Sequence, residues 1–245
     1  MLPFIRKIVL GGVIVGLTLT AAAGCSGKPE GQPIWAGSTQ GLQTSAAAPP
    51  PIASATPKAT PSASASPSAS ATKITYTFPV IGKNSYAHTH HDYPASDVIT
   101  ACGHRFVAVT GGVVLAVTRK DTWTAKKNDG ATRGGLSVSI MGDDGVRYYG
   151  SHLSVVTAGI NPGVRVKTGQ DLGKTGDSGD ASACHLHFGI SPPCAKQGDW
   201  WNQRGTLYPW PYLDSWAKDG QKSPVAAVKA WQKKNGCPTK PTADA

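Results

Sequence analysis

The seven histidines of this 245-residue sequence all lie between His88 and His187. They form three groups and one isolated residue, and the last group is the pair His185-Leu186-His187. In an extended strand, side chains two residues apart project to the same face, so these two imidazoles would stand side by side. A His-x-His pair alone is equally typical of two strand residues on a solvated face. The other groups therefore decide whether the pair does chemistry.

The first group runs from His88 to Asp97, and the second surrounds His152. Neutral imidazole and carboxylate groups bind zinc, and a catalytic zinc site uses three protein ligands and one open position. His, Asp and His from two distant segments form such a set. The sequence lacks the helical His-Glu-x-x-His arrangement, so a zinc peptidase built on this set would be of another type. His104 lies alone in a Gly-His-Arg turn, and we expect it to be an exposed loop residue.

Strands are the elements that must position these groups. Short runs rich in Val, Ile and Tyr, separated by Gly, Asn and Asp, indicate strands. These runs are Ile74–Pro79, Phe106–Val109, Val113–Thr118, Leu136–Met141, Val146–Gly150, Val164–Val166 and His185–Ile190. No long helical periodicity occurs between Ile74 and Pro193. The sequence therefore predicts an all-β domain, a compact antiparallel sheet or barrel-like sandwich.

The end of the chain has a different pattern. Ser223-Pro224 can start a helix and Gly236 can end it, so we predict a short helix between them. Four tryptophans precede this helix, at positions 200, 201, 210 and 216. Aromatic residues in a Pro-rich tail more often cap a core than bind sugar, so capping is the favoured interpretation.

The charge of the chain is clearly basic. Lys and Arg number 24 against 14 Asp and Glu, which gives a formal net charge of +10. Basic proteins suit polyanions, but no helix-turn-helix, finger or stacked-aromatic motif is present in the sequence. We therefore expect no nucleic-acid partner and a general attraction to anionic surfaces.

The N-terminus has the features of an export signal. Arg6 and Lys7 precede an uncharged stretch, Ile8 to Gly24, that ends in small residues directly before Cys25. This pattern resembles the bacterial lipoprotein signal, whose cysteine is lipidated, although Ala22 stands where that signal usually has Leu. The stretch is short against the ~20 residues that span a bilayer. We expect residues 1–24 to be a signal peptide and Cys25 to anchor the protein at the extracytoplasmic face of the cell membrane; a membrane helix and a plain secretory signal are the alternatives.

A low-complexity segment follows this signal. From Ser45 to Thr72, 23 of 28 residues are Ala, Ser or Pro. Such a composition cannot bury apolar surface, so we predict a disordered linker. The predicted organisation is a tether at 25–72, the β domain at 73–222 and a tail with a short helix at 223–245.

Four cysteines follow Cys25. They are Cys102, Cys184, Cys194 and Cys237. An even number in an exported chain suggests two disulfides, for which three pairings are open.

From Tyr86 to Ile190 the sequence resembles the lysostaphin-type, LytM-like zinc metallopeptidases, which cut peptide bonds in peptidoglycan. The matching pieces come in the order that the family has them. They are a His followed by Asp97–Gly103, Val107–Val114, Tyr149–Ser154, Val164–Gly173, Thr175–Gly179 and His185–Ile190. The resemblance covers about half of the chain, and the ordered set is specific although each piece alone is weak.

Residue by residue, the resemblance implies that Asp97 and His187 are zinc ligands. It also implies that His185 and His152 are the catalytic histidines that line the cleft. Zinc is thus the expected cofactor. Tyr149 and Ser151 are, by spacing alone, candidates to orient these rings.

The third ligand implied by the resemblance is a histidine upstream of Asp97. The family commonly has three residues between the two, whereas here His91 has five and His90 has six. We select His91, because an even separation keeps it on the same face as Asp97 if the stretch is extended. His90 is the alternative, since Pro94 can break that regularity.

The function that the resemblance implies is a membrane-anchored zinc metalloendopeptidase acting on peptidoglycan peptides. The alternative is a catalytically inactive relative that binds the wall or activates another hydrolase. Cys102 closely follows Asp97 and Cys184 directly precedes His185. We therefore expect a Cys102–Cys184 disulfide between two site-bearing segments, which leaves Cys194–Cys237 to hold the tail.

Overall fold

The computed structural model describes residues 73–194 and 198–241. The predicted signal peptide, the lipid site at Cys25 and the tether lie outside these residues. Within the described ranges, no helix has the length and apolar character needed to cross a membrane. The described residues form ten strands and three helices. These are β1 Val80–Ile81, β2 Asn84–Tyr86, β3 Ser96–Thr100, β4 Arg105–Val107, β5 Gly112–Thr118, β6 Leu136–Gly142, β7 Arg147–Val156, β8 Arg165–Val166, β9 Asp171–Thr175, β10 His185–Ser191, α1 Trp200–Gln203, α2 Trp210–Trp216 and α3 Val225–Asn235.

All strand pairs are antiparallel, and they join in one sheet with the order β1-β4-β9-β7-β10-β3-β2. The long strand β7 also pairs with β6, and β5 links β6 to β8. The sheet curls into a nearly closed, barrel-like form. The predicted all-β class is therefore confirmed.

Strand β10 lies in the middle of this sheet, between β3 and β7, and all seven of its residues are buried. Its sequence alternates, so Leu186, Phe188 and Ile190 face the apolar core. The two histidines therefore project to the opposite face. The strand is therefore covered by other parts of the protein on both faces.

The helices cover one end of the core. Trp216 of α2 is 2% exposed and stacks on Tyr76 at 5.4 Å between ring centroids. Helix α3 follows Pro224 and ends before Gly236, which has a φ of 67°, as predicted. Trp216 thus caps the core, in agreement with the favoured interpretation of the aromatic tail.

Both predicted disulfides, Cys102–Cys184 and Cys194–Cys237, are present. The first joins the turn after β3 to the start of β10. The second joins the segment after β10 to the end of the chain beyond α3. Each therefore connects elements distant in sequence, which restricts the unfolded chain more than a short loop would.

The strand predictions missed β1, β2, β3 and β9 and were wrong for Ile74–Pro79. That run places Tyr76 and Phe78 in the core, but it is not itself a strand. Pro79 has no N–H to donate to a ladder. Strand β1 has only two residues, and the other three missed strands contain Asn, Ser, Asp, Gly or Lys, which have low strand propensity. Tertiary pairing rather than local preference therefore extends them.

Candidate metal centre

Strands β3 and β10 bring the candidate residues together through their register. His187 lies directly opposite Asp97, and His185 lies opposite Ile99. Residues opposite each other in an antiparallel pair share a face and have Cβ atoms about 4.5–5.5 Å apart. The two predicted ligands therefore meet because of strand pairing across 90 residues of sequence.

Three groups converge at this point. Nδ1 of His187 lies 3.0 Å from Oδ1 of Asp97, and Nε2 of His90 lies 3.7 Å from Oδ2 of the same carboxylate. One ligand atom from each residue lies within 4.8 Å of the others. Ligands about 2.0–2.1 Å from a tetrahedral zinc ion are about 3.3 Å from one another. The donor set and its spacing therefore fit a zinc ion.

The hydrogen bonds on the far side of each ring support this fit. Nε2 of His187 donates to the main-chain carbonyl of Arg204 at 2.8 Å, and Nδ1 of His90 donates to that of Tyr93 at 3.0 Å. A neutral imidazole has only one N–H, so the other nitrogen of each ring is an acceptor. Both acceptors face the carboxylate of Asp97, which also accepts. A cation between these atoms satisfies all three groups.

The protonation states at this centre suit metal ligands, which must be deprotonated. Burial raises the pKa of the Asp97 carboxyl, but the hydrogen bond and charge that the His187 ring supplies when it is protonated outweigh burial and hold this pKa well below its usual range. Burial lowers the pKa of His90 to about 4. At neutral pH the carboxyl is therefore ionised and the His90 ring is neutral.

His91 lies outside this centre, contrary to the sequence-based selection. Its side chain is 69% exposed, and its Nδ1 pairs with Oδ2 of Asp92 at 2.7 Å. The alternation argument failed because residues 91–94 form bends and the strand begins only at Ser96. The structure brings the alternative, His90, to Asp97.

The other two predicted residues, His152 and His185, lie beside the centre. Their ring centroids are 4.6 Å apart, and Nε2 of His185 lies 3.7 Å from Oδ1 of Asp97. Each ring donates Nδ1–H to a main-chain carbonyl, His152 to Ser178 at 2.7 Å and His185 to Ala183 at 2.8 Å. Each Nε2 is thereby left as an acceptor. Burial lowers the pKa of the His152 ring to about 4, so it is neutral at pH 7.

The backbone of β7 is distorted at His152. This residue has a φ of 61°, in the left-handed region that non-glycine residues rarely adopt. Between Gly150 and Leu153, β7 has one residue more than its partner β6 has between Leu136 and Val138, which is a β-bulge. Bulges re-aim side chains and are frequent beside active sites. The bulge therefore turns the His152 ring toward His185.

The five groups line a cleft of about 300 Å³. One wall comes from the loops before β6 and before β10, with Arg133 and Asp180. The main chains of these loops are joined, because the Asp180 N–H donates to the Arg133 carbonyl at 2.7 Å. The other wall includes Trp200 and Gln203 of α1. Gly130 contacts the Trp200 ring so closely that a side chain there would collide with it.

The remaining predicted residues have structural partners. The exposed ring of His88 stacks on Trp210 at 4.3 Å. His104 is half-buried rather than exposed, with Nδ1 2.6 Å from the Thr100 hydroxyl oxygen. Of the orienting candidates, Tyr149 is buried with its ring 6.3 Å from that of His187.

Ser151 is also buried and borders the cleft. Sequence reasoning missed Tyr93 and Arg204, because both contact the site histidines through main-chain carbonyls, which any residue type can supply.

Several solved structures are similar to this chain. The catalytic domain of the antimicrobial peptidase lysostaphin from Staphylococcus simulans is 23% identical, with a TM-score of 0.39, over 58% of this chain and 92% of that one. For lysostaphin itself the values are 22% and 0.42, over 58% and 55% of the two chains. A zinc-containing peptidase from Vibrio cholerae is 19% identical, with a TM-score of 0.38, over 49% and 37%. The chain thus spans under two thirds of the latter two.

A family profile matches part of this sequence. The search of curated proteins found no match. Residues 92–200 match the profile of Peptidase family M23, and the match contains Asp97, His152, His185 and His187. It begins two residues after His90. The match to Peptidase family M23 covers under half of the chain, and it supports the LytM-type domain that the sequence resembles.

Proposed function

We propose that this chain is a membrane-anchored zinc metalloendopeptidase that hydrolyses peptide bonds of peptidoglycan. The observation that carries the proposal is the convergence of three acceptor groups, from His90, Asp97 and His187, at the base of the cleft. The family match supports a peptidase, and the resemblance of residues 86–190 to the LytM-like peptidases supports peptidoglycan peptides as the substrate.

In this proposal His90, Asp97 and His187 hold the metal. A zinc ion at such a site supplies a Lewis acid that polarises a carbonyl group and acidifies water. The far hydrogen bonds of the two ligand rings keep their metal-facing nitrogens unprotonated. The ionised Asp97 contributes one negative charge to the site.

His152 and His185 perform the proton transfers. Each ring uses its Nδ1–H for a main-chain carbonyl and so turns Nε2 toward the metal site, where it can take a proton from the attacking water. The protonated ring then returns a proton to the leaving amine, so that water and one peptide bond become a carboxyl and an amino group. The sequence contains one glutamate, Glu30, which lies outside the described residues, so no described glutamate competes for the role of base.

The proposed location follows from the N-terminal sequence. Lipid on Cys25 holds the chain at the outer face of the membrane, and the Ala/Ser/Pro-rich tether lets the domain reach the wall. The two disulfides of the domain agree with this location, since disulfides persist in oxidising compartments.

The experiment incubates the full chain, loaded with zinc, with purified cell walls and identifies released fragments by mass spectrometry. We expect new peptide ends, their loss on chelation and their return when zinc is restored. His152→Ala should abolish release, whereas His88→Ala, at an exposed histidine outside the centre, should not. Bound zinc without any released peptide would favour the inactive, wall-binding alternative.

A further inference from the structure

The segment Arg204-Gly205, which lies beyond the family match, contacts the surroundings of both ligand histidines. We infer that these two residues position His187 and His90 for the metal, an inference that rests on the proposed function. The Arg204 carbonyl accepts the Nε2–H of His187 at 2.8 Å and so sets both the tautomer and the tilt of that ring.

A glycine on β10 makes this carbonyl contact possible. A Cβ atom at Gly189 would lie 2.5 Å from the Arg204 carbonyl oxygen and 2.8 Å from that of Gln203. Both obstacles are main-chain atoms, which cannot turn aside as a flexible side chain can. Gly189 therefore lets the segment after α1 approach β10 two residues from His187.

The side chain of Arg204 acts on the other ligand. Its guanidinium carbon lies 3.8 Å from the centroid of the Tyr93 ring, and the residue is only 9% exposed. The main-chain carbonyl of Tyr93 accepts the hydrogen bond from His90 at 3.0 Å. Stacking on the Tyr93 ring therefore restrains the bend that carries His90.

Gly205 completes the bridge between the two ligands. It has a φ of 137°, and a Cβ atom there would collide with the carbonyl oxygen of Pro94. The main chain of 204–205 thus lies between β10 on one side and the bend at residues 91–94 on the other. One short segment determines the distance between the two ligand histidines.

The first test measures zinc affinity, by competition with a chelating dye, rather than activity. Gly189→Ala in the full chain should weaken zinc binding by about 10–100-fold, the usual effect of losing the outer partner of a ligand. The matched control is Gly173→Ala, whose Cβ would lie 2.6 Å from the Val155 carbonyl oxygen and so meets a similar obstacle away from the centre. It should destabilise the fold and leave the affinity of the folded protein unchanged.

The second test separates the side chain from the carbonyl. Arg204→Ala should weaken zinc binding about tenfold. Tyr93→Ala should weaken it at least as much, because the Tyr93 ring also packs on the rings of His90 at 4.6 Å and His187 at 5.7 Å. The double variant should lose no more than Tyr93→Ala alone, because that substitution already removes the contact with Arg204. Tyr93→Phe keeps the ring and the carbonyl and should bind zinc normally. Arg105→Ala, at an exposed arginine paired with Asp171, is the control.

Equal zinc affinity in the unsubstituted chain, Gly189→Ala and Arg204→Ala would overturn the inference, as would equal losses in Gly189→Ala and Gly173→Ala. Failure of the proposed function has a different signature. The unsubstituted chain would then bind zinc but release no peptide, and the affinity comparison among variants would still decide the positioning role.

Discussion

A buried ion pair holds α1, and with it the Arg204 segment, against β7. Nη1 of Arg147 lies 2.9 Å from both carboxylate oxygens of Asp199, and each side chain is 4% exposed. The same guanidinium donates to Ser139 and to Gln203 of α1, both at 2.9 Å. Arg147 therefore links β6 to both ends of α1, the helix that forms part of the cleft wall.

Removing one partner of this pair should be costly. Arg147→Met leaves the buried Asp199 carboxylate without its arginine, and breaking a buried pair in this way costs about 3–5 kcal/mol of unfolding free energy. Replacing both partners by apolar residues, Arg147→Met with Asp199→Leu, leaves no charge behind and should cost much less. Because α1 leads directly into Arg204, the single variant should also bind zinc less tightly.

Urea unfolding of the full chain, with its disulfides oxidised, measures these free energies. The control is Arg165→Met, because Arg165 is 64% exposed in its pair with Asp143 and exposed pairs are worth about 0–1 kcal/mol. The reasoning fails if Arg147→Met costs no more than this control. It also fails if the double replacement costs as much as the two single replacements added together.

Three further predictions concern the centre, the disulfide and the core. His187→Ala should lose zinc, whereas His185→Ala should keep zinc and lose peptide release; loss of zinc from both, measured by metal analysis, would contradict the assigned roles. Replacing Cys102 and Cys184 by Ser opens a crosslink of 82 residues and should cost about 4.5 kcal/mol in urea unfolding on the chain-entropy model, and an unchanged midpoint would contradict it. Burial, aided by Asp144, raises the pKa of Tyr76 from its unfolded value of 10.0 to about 12. The folded state thus holds this proton more tightly, so its contribution to stability is complete below pH 10 and is lost as pH rises through 12. Tyr76→Phe should reduce the pH dependence of unfolding in that range, and an identical slope would refute the effect.

The part of the site that follows from strand geometry could be predicted from the sequence. His185 and His187 share a face because β10 is a regular strand, and its flanking Leu186 and Phe188 are apolar enough to mark that strand. Asp97 needed the family resemblance, because β3 begins with polar residues and has no strong strand signal.

The part that depends on irregular backbone could not be predicted in this way. The choice between His90 and His91 turns on whether residues 91–94 are extended, and they are bends. A bend changes which side chains share a face. The rule that residues an even number apart share a face therefore holds only within the strand that starts at Ser96. Similarly, the orientation of His152 depends on a bulge that one extra residue of β7 creates, and no residue type in that stretch signals it.

For the same reason, the role of Arg204 in positioning the ligand histidines could not be predicted from the sequence. A metal site requires particular side chains as ligands, so its inner residues have a signature of type and spacing. Its outer partners here are main-chain carbonyls, which are the same in every residue. What such a contact does require is close approach, and close approach favours glycine. Gly189 and Gly205 are therefore the residues in the sequence that the Arg204 contact requires. Substitution at either should reduce metal binding, although all three ligand residues are still present.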